Sequence, residues 1–336
     1  MINRNPHPST LLSCCLSTTL AIGLVSAGTA SANLIAGDSF LTGNPADAAS
    51  GEYITTQFRR GQVNGAGQDP TIPGFTGAWT GNVTSGSLAV AQWTAESAPT
   101  GTTAPYQVGG RARFGGSSAV NGLQRRVQRE LSPYTPASTY YMSVITQIAT
   151  GDLAGAPGFA GVGFTNADAS VTQQDANMAG GSALRGLLIG AASSDGATTD
   201  FVIRHVGAAG LVDEVVDAGI PNVEPTLTVV RLDFNDDPAN PAGNSRISVW
   251  HNPDFTAALT EADATADSAP LTFRTFALDT IGDLTHLTMT GINYSKAASF
   301  DEVRLATTWE AAVPVPEPAT GVLALTALLA VNRRSR

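Results

Sequence analysis

The chain has 336 residues, a formal charge of −10, 14% charged and 43% hydrophobic side chains, 35 Gly and 19 Pro. That length supports one large domain or two small ones with a real core, and the acidic excess argues against a nucleic-acid partner. So low a charged fraction excludes a coiled coil or a charged disordered chain, and the two Cys, Cys14 and Cys15, are adjacent and cannot build a long-range disulfide framework.

The first segment, 1–32, reads as a secretory signal peptide. Arg4 gives a positive start, 11–27 is an uncharged apolar run, and Ala30-Ser31-Ala32 is a small-x-small cleavage site that makes signal peptidase a processing partner. An uncleaved anchor and a lipoprotein modified at Cys14 are the alternatives. The apolar run is short, ends in small residues and continues past Cys14 instead of preceding it, which favours cleavage. Cleavage before Asn33 would remove both cysteines and leave a thiol-free mature chain.

The body, 33–312, excludes Arg4, Arg333, Arg334, Arg336 and Glu317, so the 18 basic and 28 acidic residues of the chain become 14 and 27 and the body carries −13. Runs rich in β-branched and aromatic residues predict strands at 53–58, 87–93, 111–114, 123–131, 140–148, 159–164, 186–191, 201–206, 226–234, 246–251, 284–292 and 300–306. Alternation is plain in Arg246-Ile247-Ser248-Val249-Trp250, and Val303 and Leu305 share a face. Turn signals separate the strands: Asn64-Gly65, Asn121-Gly122, Asp195-Gly196 and the run 235–240. No window of 12 residues or more carries a helical stripe with caps. A dozen punctuated strands imply an all-β fold, a β-sandwich or jelly roll, as one domain.

Chemistry is sparse in this body. It has no Cys, no GxSxG turn, and three His, His205, His251 and His286, with no metal-ligand spacing. Paired carboxylates at i and i+2 are what a sandwich glycosidase needs on one strand. Glu261-Ala262-Asp263 comes nearest, but 261–267 reads as a solvated acidic loop, and the adjacent Asp301 and Glu302 point to opposite faces. The expectation is no catalytic residue and no enzyme. No cofactor is implied, with one exception: Asp233, Asn235, Asp236 and Asp237, with Asn240 nearby, offer hard oxygens suited to Ca²⁺. The same residues also make an ordinary hairpin turn. Arg111, Arg113, Arg125, Arg126 and Arg129 are the one basic cluster, with Arg111 and Arg113 on one face and an outward set around Arg125 and Arg129. Such a patch suits acidic exopolysaccharide, or merely guards sheet edges. Trp93 and Trp250 read as core, whereas Trp79, in a Gly-rich stretch, is expected to be an exposed sugar platform.

The last segment, 313–336, has three parts. Val313-Pro314-Val315-Pro316-Glu317-Pro318 is rigid and extended, 321–331 is uncharged, and Arg333, Arg334 and Arg336 are a cationic stop. This order resembles the PEP-CTERM sorting domain of Gram-negative bacteria, whose hallmark is the triplet Pro316-Glu317-Pro318. The resemblance implies handling by the membrane enzyme exosortase. The 13 residues from Ala319 to Val331 would span about 20 Å as a helix, short of a hydrocarbon core of about 30 Å, which suits a transient inner-membrane anchor.

The body resembles the concanavalin A-like, laminin-G-like jelly roll. Leu34-Ile35-Ala36-Gly37-Asp38-Ser39-Phe40 is similar to its first strand, Leu232-Asp233-Phe234 into Val249-Trp250-His251 to its central hairpin, and Phe300-Asp301-Glu302-Val303-Arg304-Leu305 to its closing strand, paired near the first. The resemblances imply an exported protein of the cell surface or extracellular matrix, structural or adhesive and non-catalytic. The alternatives are a lectin-like module for exopolysaccharide and, from a different class, a secreted glycoside hydrolase or polysaccharide lyase.

Overall fold

The computed structural model describes residues 34–38, 40, 74–76, 79–82, 88–92, 110–114, 124–148, 158–166, 185–193, 198–207, 210–219, 225–234, 236, 245–253, 260–275, 284–292 and 298–313. Both terminal segments, the strand expected at 53–58, Trp93, Asn235 and Asp237 lie outside them.

Two antiparallel sheets stack face to face. The larger holds β13 (Leu271–Thr275), β12 (Ser245–His251), β11 (Thr226–Asp233), β6 (Thr139–Ile148), β15 (Ala298–Ala306), β4 (Gly110–Phe114) and β3 (Leu88–Gln92) in that order, with β1 (Leu34–Asp38) also paired to β15. The smaller runs β10 (Gly210–Asp217), β9 (Asp200–Gly207), β8 (Gly186–Ser193), β7 (Gly158–Thr165), β14 (His286–Ile292), β5 (Gln124–Glu130) and β2 (Thr80–Asn82). This is the β-sandwich that the strand count implies. The first strand does pair with the closing one: Ala36 lies opposite Leu305 and Asp38 opposite Val303. β4 takes the same edge of β15 at Ala298–Phe300, so β1 and β4 divide it at an irregularity between Asp301 and Arg304, where Glu302 has φ 48°.

Alternation explains the core. Tyr140, Met142 and Val144 of β6, with Val230 and Leu232 of β11, meet Val162, Phe164, Leu187 and Ile189 of the smaller sheet, each large side chain contributing about 1.5–3 kcal/mol by leaving water. The intervening residues of the same strands are apolar too. Ile145, Leu227, Val229 and Trp250 lie on the outer face of the larger sheet, beneath α1 (Glu261–Asp267) and α2 (Trp309–Ala312). The Trp309 ring stands edge-on to Trp250 at 5.1 Å, and Ser143 donates a hydrogen bond to the Ala312 carbonyl at 2.6 Å. Val313, the last described residue, is packed on this face.

Several expectations are corrected. The acidic stretch 261–267 is a helix, because Thr260 and Asp263 form a reciprocal capping box at its start. Trp79 is fully buried, stacked on Phe40 with centroids 6.4 Å apart, and fills the core beside β2. Arg129 points inward, since it shares a strand face with the core residue Val127. It is 1% exposed, meets Asp38 of the opposite sheet at 3.4 Å, and lies over the Phe75 ring at 4.6 Å. The basic cluster is also divided, with Arg111 and Arg113 on β4 of the larger sheet and Arg125, Arg126 and Arg129 on β5 of the smaller.

Two histidines make the sandwich acid-sensitive. His251 stacks near Phe201 at 4.4 Å, and burial holds its pKa below the ordinary 6.5 despite Asp217. Burial does the same at His286 despite Glu130. Below about pH 6.5 the unfolded chain binds protons that the folded one resists, so stability falls as pH drops through the normal histidine range and is full above it. Urea unfolding between pH 8 and pH 5 should show the midpoint falling, and His251→Gln should flatten the slope; a midpoint that rises on acidification contradicts this.

Candidate functional site

Every residue of β11 is buried except Arg231. That exception opens a polar grid on the outer face of the larger sheet, near the β13 edge. Register sets its rows. Thr139, Asp233, Arg246 and Arg274 lie opposite one another across β6, β11, β12 and β13. Tyr141, Arg231, Ser248 and Thr272 form the adjoining row, two residues along. Four strands span about 14 Å and the rows are about 7 Å apart. Asp236 enters from the β11–β12 turn, and Glu261 from the first turn of α1.

The charges interlock. Arg231 donates from Nε to Asp233 at 2.9 Å and from Nη1 to Glu261 at 2.8 Å. Arg246 reaches Asp233 at 3.0 Å and Asp236 at 3.3 Å, and Arg274 approaches Asp236 at 3.5 Å. Arg246 and Arg274, directly opposed like charges, are thus bridged by one carboxylate, which removes a repulsion that cross-strand pairing would otherwise impose. Tyr141 donates its hydroxyl to Glu261 at 2.6 Å, with the Arg231 guanidinium 5.9 Å from its ring.

Burial alone would raise the Asp233 pKa, but hydrogen bonds from Thr139, Arg231 and Arg246 outweigh it and hold the carboxyl below its usual range. Burial would lower that of Arg231, yet its bonds to Glu261 and Asp233 keep it firmly protonated. The Tyr141 phenol is pushed up, first by burial and then by the Glu261 carboxylate that accepts its hydrogen bond. The grid therefore holds fixed donors and fixed acceptors at neutral pH, with three guanidinia against three carboxylates and no net charge. Its arginines are 29–46% exposed, so the grid meets solvent.

Of the residues proposed for Ca²⁺, Asp233 meets arginines through both oxygens and Asp236 through Oδ2, while Asn235 and Asp237 lie outside the described residues. Among the described residues no group of three or more His, Cys, Asp or Glu could hold a metal, and no helix is long and apolar enough to cross a membrane. Of the arginines expected on an exposed patch, Arg129 is engaged in the core, while the side chains of Arg111, Arg113 and Arg125 lie outside the described set. The grid itself was missed because its arginines are scattered along the sequence at 231, 246 and 274. Only the alternation Arg231-x-Asp233 hinted at it.

The smaller sheet has a second polar face, and it is buried. Gln128 donates to Thr288 at 2.9 Å and to Thr165 at 3.1 Å. Arg204 grips Asp213 with two bonds of 2.6 Å and covers the Phe159 ring at 3.7 Å. That ring in turn lies where a Cβ on Gly161 would be, and a Cβ on Gly163 would overlap the Leu187 backbone. These glycines let β7 and β8 approach closely, so this face is structural scaffolding.

No protein-family model matches the chain, and no curated protein matches it in sequence. Solved structures similar to it include the alginate lyase vAL-1 from Chlorella virus, with 9% identity over 66% of this chain and 93% of that one and a TM-score of 0.36. A carbohydrate esterase from the Shiga toxin-encoding bacteriophage phi24B shows 11% identity over 69% and 89%, with a TM-score of 0.37. The exoplasmic/lumenal domain of VIP36 in its Ca²⁺/Man2-bound form shows 10% over 78% and 93%, with a TM-score of 0.35. The expectation that the chain is not an enzyme is corrected by this set, which includes a lyase and an esterase. At these scores no activity passes from them to this chain.

Glu261→Gln should test the grid. Removing the carboxylate charge beside Tyr141 lowers that phenol's pKa toward its ordinary value, so in ultraviolet titration the Tyr141 contribution, identified by its loss in Tyr141→Phe, should appear at lower pH than in the wild type. An unchanged titration would separate Tyr141 from Glu261.

Proposed function

We propose that the chain is an exported cell-surface or matrix-associated adhesive β-sandwich, sorted by an exosortase, whose grid of arginines and carboxylates contacts extracellular polysaccharide. The observation that carries the sorting part is the order of three segments: Pro316-Glu317-Pro318, an uncharged apolar run, then Arg333, Arg334 and Arg336. Each part has a physical role. Prolines keep the recognition element extended and low in entropy, the apolar run holds it at the bilayer, and the arginines stay on the cytoplasmic side. The signal-peptide pattern at 1–32 supports the same route, and its processing would make signal peptidase and exosortase successive partners.

The ligand class follows from charge. A body at −13 repels polyanions at long range, and the grid has no net positive charge with which to overcome this. A hydroxyl-rich neutral glycan fits better, because sugar hydroxyls both donate to carboxylates and accept from guanidinia, and charge-assisted bonds are the strong ones. Such binding would be insensitive to salt. Calcium enters this reading only as an ion tested by addition.

Replacing Pro316, Glu317 and Pro318 by alanine should retain the chain in the inner membrane, seen by fractionation and by loss of surface labelling in intact cells. Unchanged surface labelling would contradict the sorting reading.

A further inference from the structure

β13 lies at one edge of the larger sheet and β10 at one edge of the smaller, and no described strand pairs with their outer sides. They close the same lateral side of the sandwich, since Phe201 of β9 touches His251 of β12. Among the described residues all three exposed large hydrophobic side chains lie on these two strands: Val212 at 44%, Val215 at 47% and Leu271 at 44%. Val212 lies opposite His205 and Leu271 opposite Val249, both buried, so these two side chains sit at the open margin of the inter-sheet layer. An edge strand is a template for further pairing.

Charge decides which pairing is allowed. β10 carries Asp213, Glu214 and Asp217, while β13 carries Arg274 and stands beside Arg246. Two β10 strands side by side would set acids against acids. A β10 strand beside a β13 strand avoids that opposition and brings Asp213, the one of these acids on the outer face, toward the edge that carries Arg274. The directions also agree. β12 ends near Phe201, where β9 begins and β10 ends, since Asp217 lies opposite Phe201. β13 runs back from that same end, with Leu271 opposite Val249. Within one copy β10 and β13 are therefore oppositely directed.

We propose that two copies of the chain associate side by side about a two-fold axis parallel to the strands, each β13 pairing antiparallel with β10 of the second copy. Both strand pairs form at once, the sheets continue across the contact, and Val212 and Leu271 of both copies leave water together. The interface is isologous and closed, giving a dimer instead of a filament. Its effect is two polysaccharide-facing grids on one particle, one on each side.

Sedimentation of the purified full chain should show a dimer. Leu271→Asp and Val212→Asp should each raise its dissociation constant at least tenfold while circular dichroism stays unchanged. A monomer at all concentrations, or a dimer of undiminished affinity in both variants, would overturn the proposal. Neither residue belongs to the grid, so the result is independent of glycan binding.

Discussion

A charge taken out of water must be neutralised, and this sandwich places such a charge where its sheets meet. Asp38 of β1 and Arg129 of β5 belong to opposite sheets and are each 1% exposed. Deleting one member of a buried pair typically costs about 3–5 kcal/mol, because the other is left uncompensated. The surroundings are built to hold the pair. Asp38 also accepts the Phe40 amide at 2.9 Å, Phe75 lies against the guanidinium, and Phe40 stacks on Trp79. Asp38 in turn needs β1 in place, which requires the free half of the β15 edge, which requires the irregularity at Glu302. One ionic contact thus ties the first strand, the closing strand and the aromatic end of the core into a single condition.

That condition determines where function can lie. Aromatic and basic side chains that could have served a ligand, Trp79 and Arg129, are spent on the core. The smaller sheet's outer face is spent on close backbone approach at Gly161 and Gly163. Among the described residues the grid on the larger sheet keeps its charged groups in contact with solvent, between the helix that covers the apolar half of that face and the β13 edge. There the arginines are held rigid by carboxylates, so a ligand meets donors that pay little rotamer entropy on binding.

Much of the fold was legible in the sequence. β6, β11, β12 and β15 are dense in β-branched and aromatic residues, and their period of two fixes which of them face inward. The edges were harder to read. Leu-Val-Asp-Glu-Val-Val in β10 and Leu-Thr-Phe-Arg-Thr in β13 mix apolar with polar residues without clean alternation, and composition alone does not separate that from a loop. α1 is seven residues long, too short for a periodic stripe, and only the spacing of Thr260 and Asp263 marked its start. Arg129 was misplaced although Val127, two residues earlier, already named the inward face of β5. The site was the least legible part. Strand register brings Arg231, Arg246 and Arg274 together, and register is a property of pairing between distant segments, carried by no local pattern.

The central claim is that the outer face of the larger sheet is the surface that meets polysaccharide. Amide hydrogen exchange on the full chain, with and without a neutral glycan selected by binding, tests it most directly. The account predicts new protection in Thr226–Asp233, Ser245–His251 and Glu261–Asp267, unaffected by salt. Protection confined to Gly158–Thr165 and His286–Ile292 on the smaller sheet, or no glycan bound at all, would contradict it.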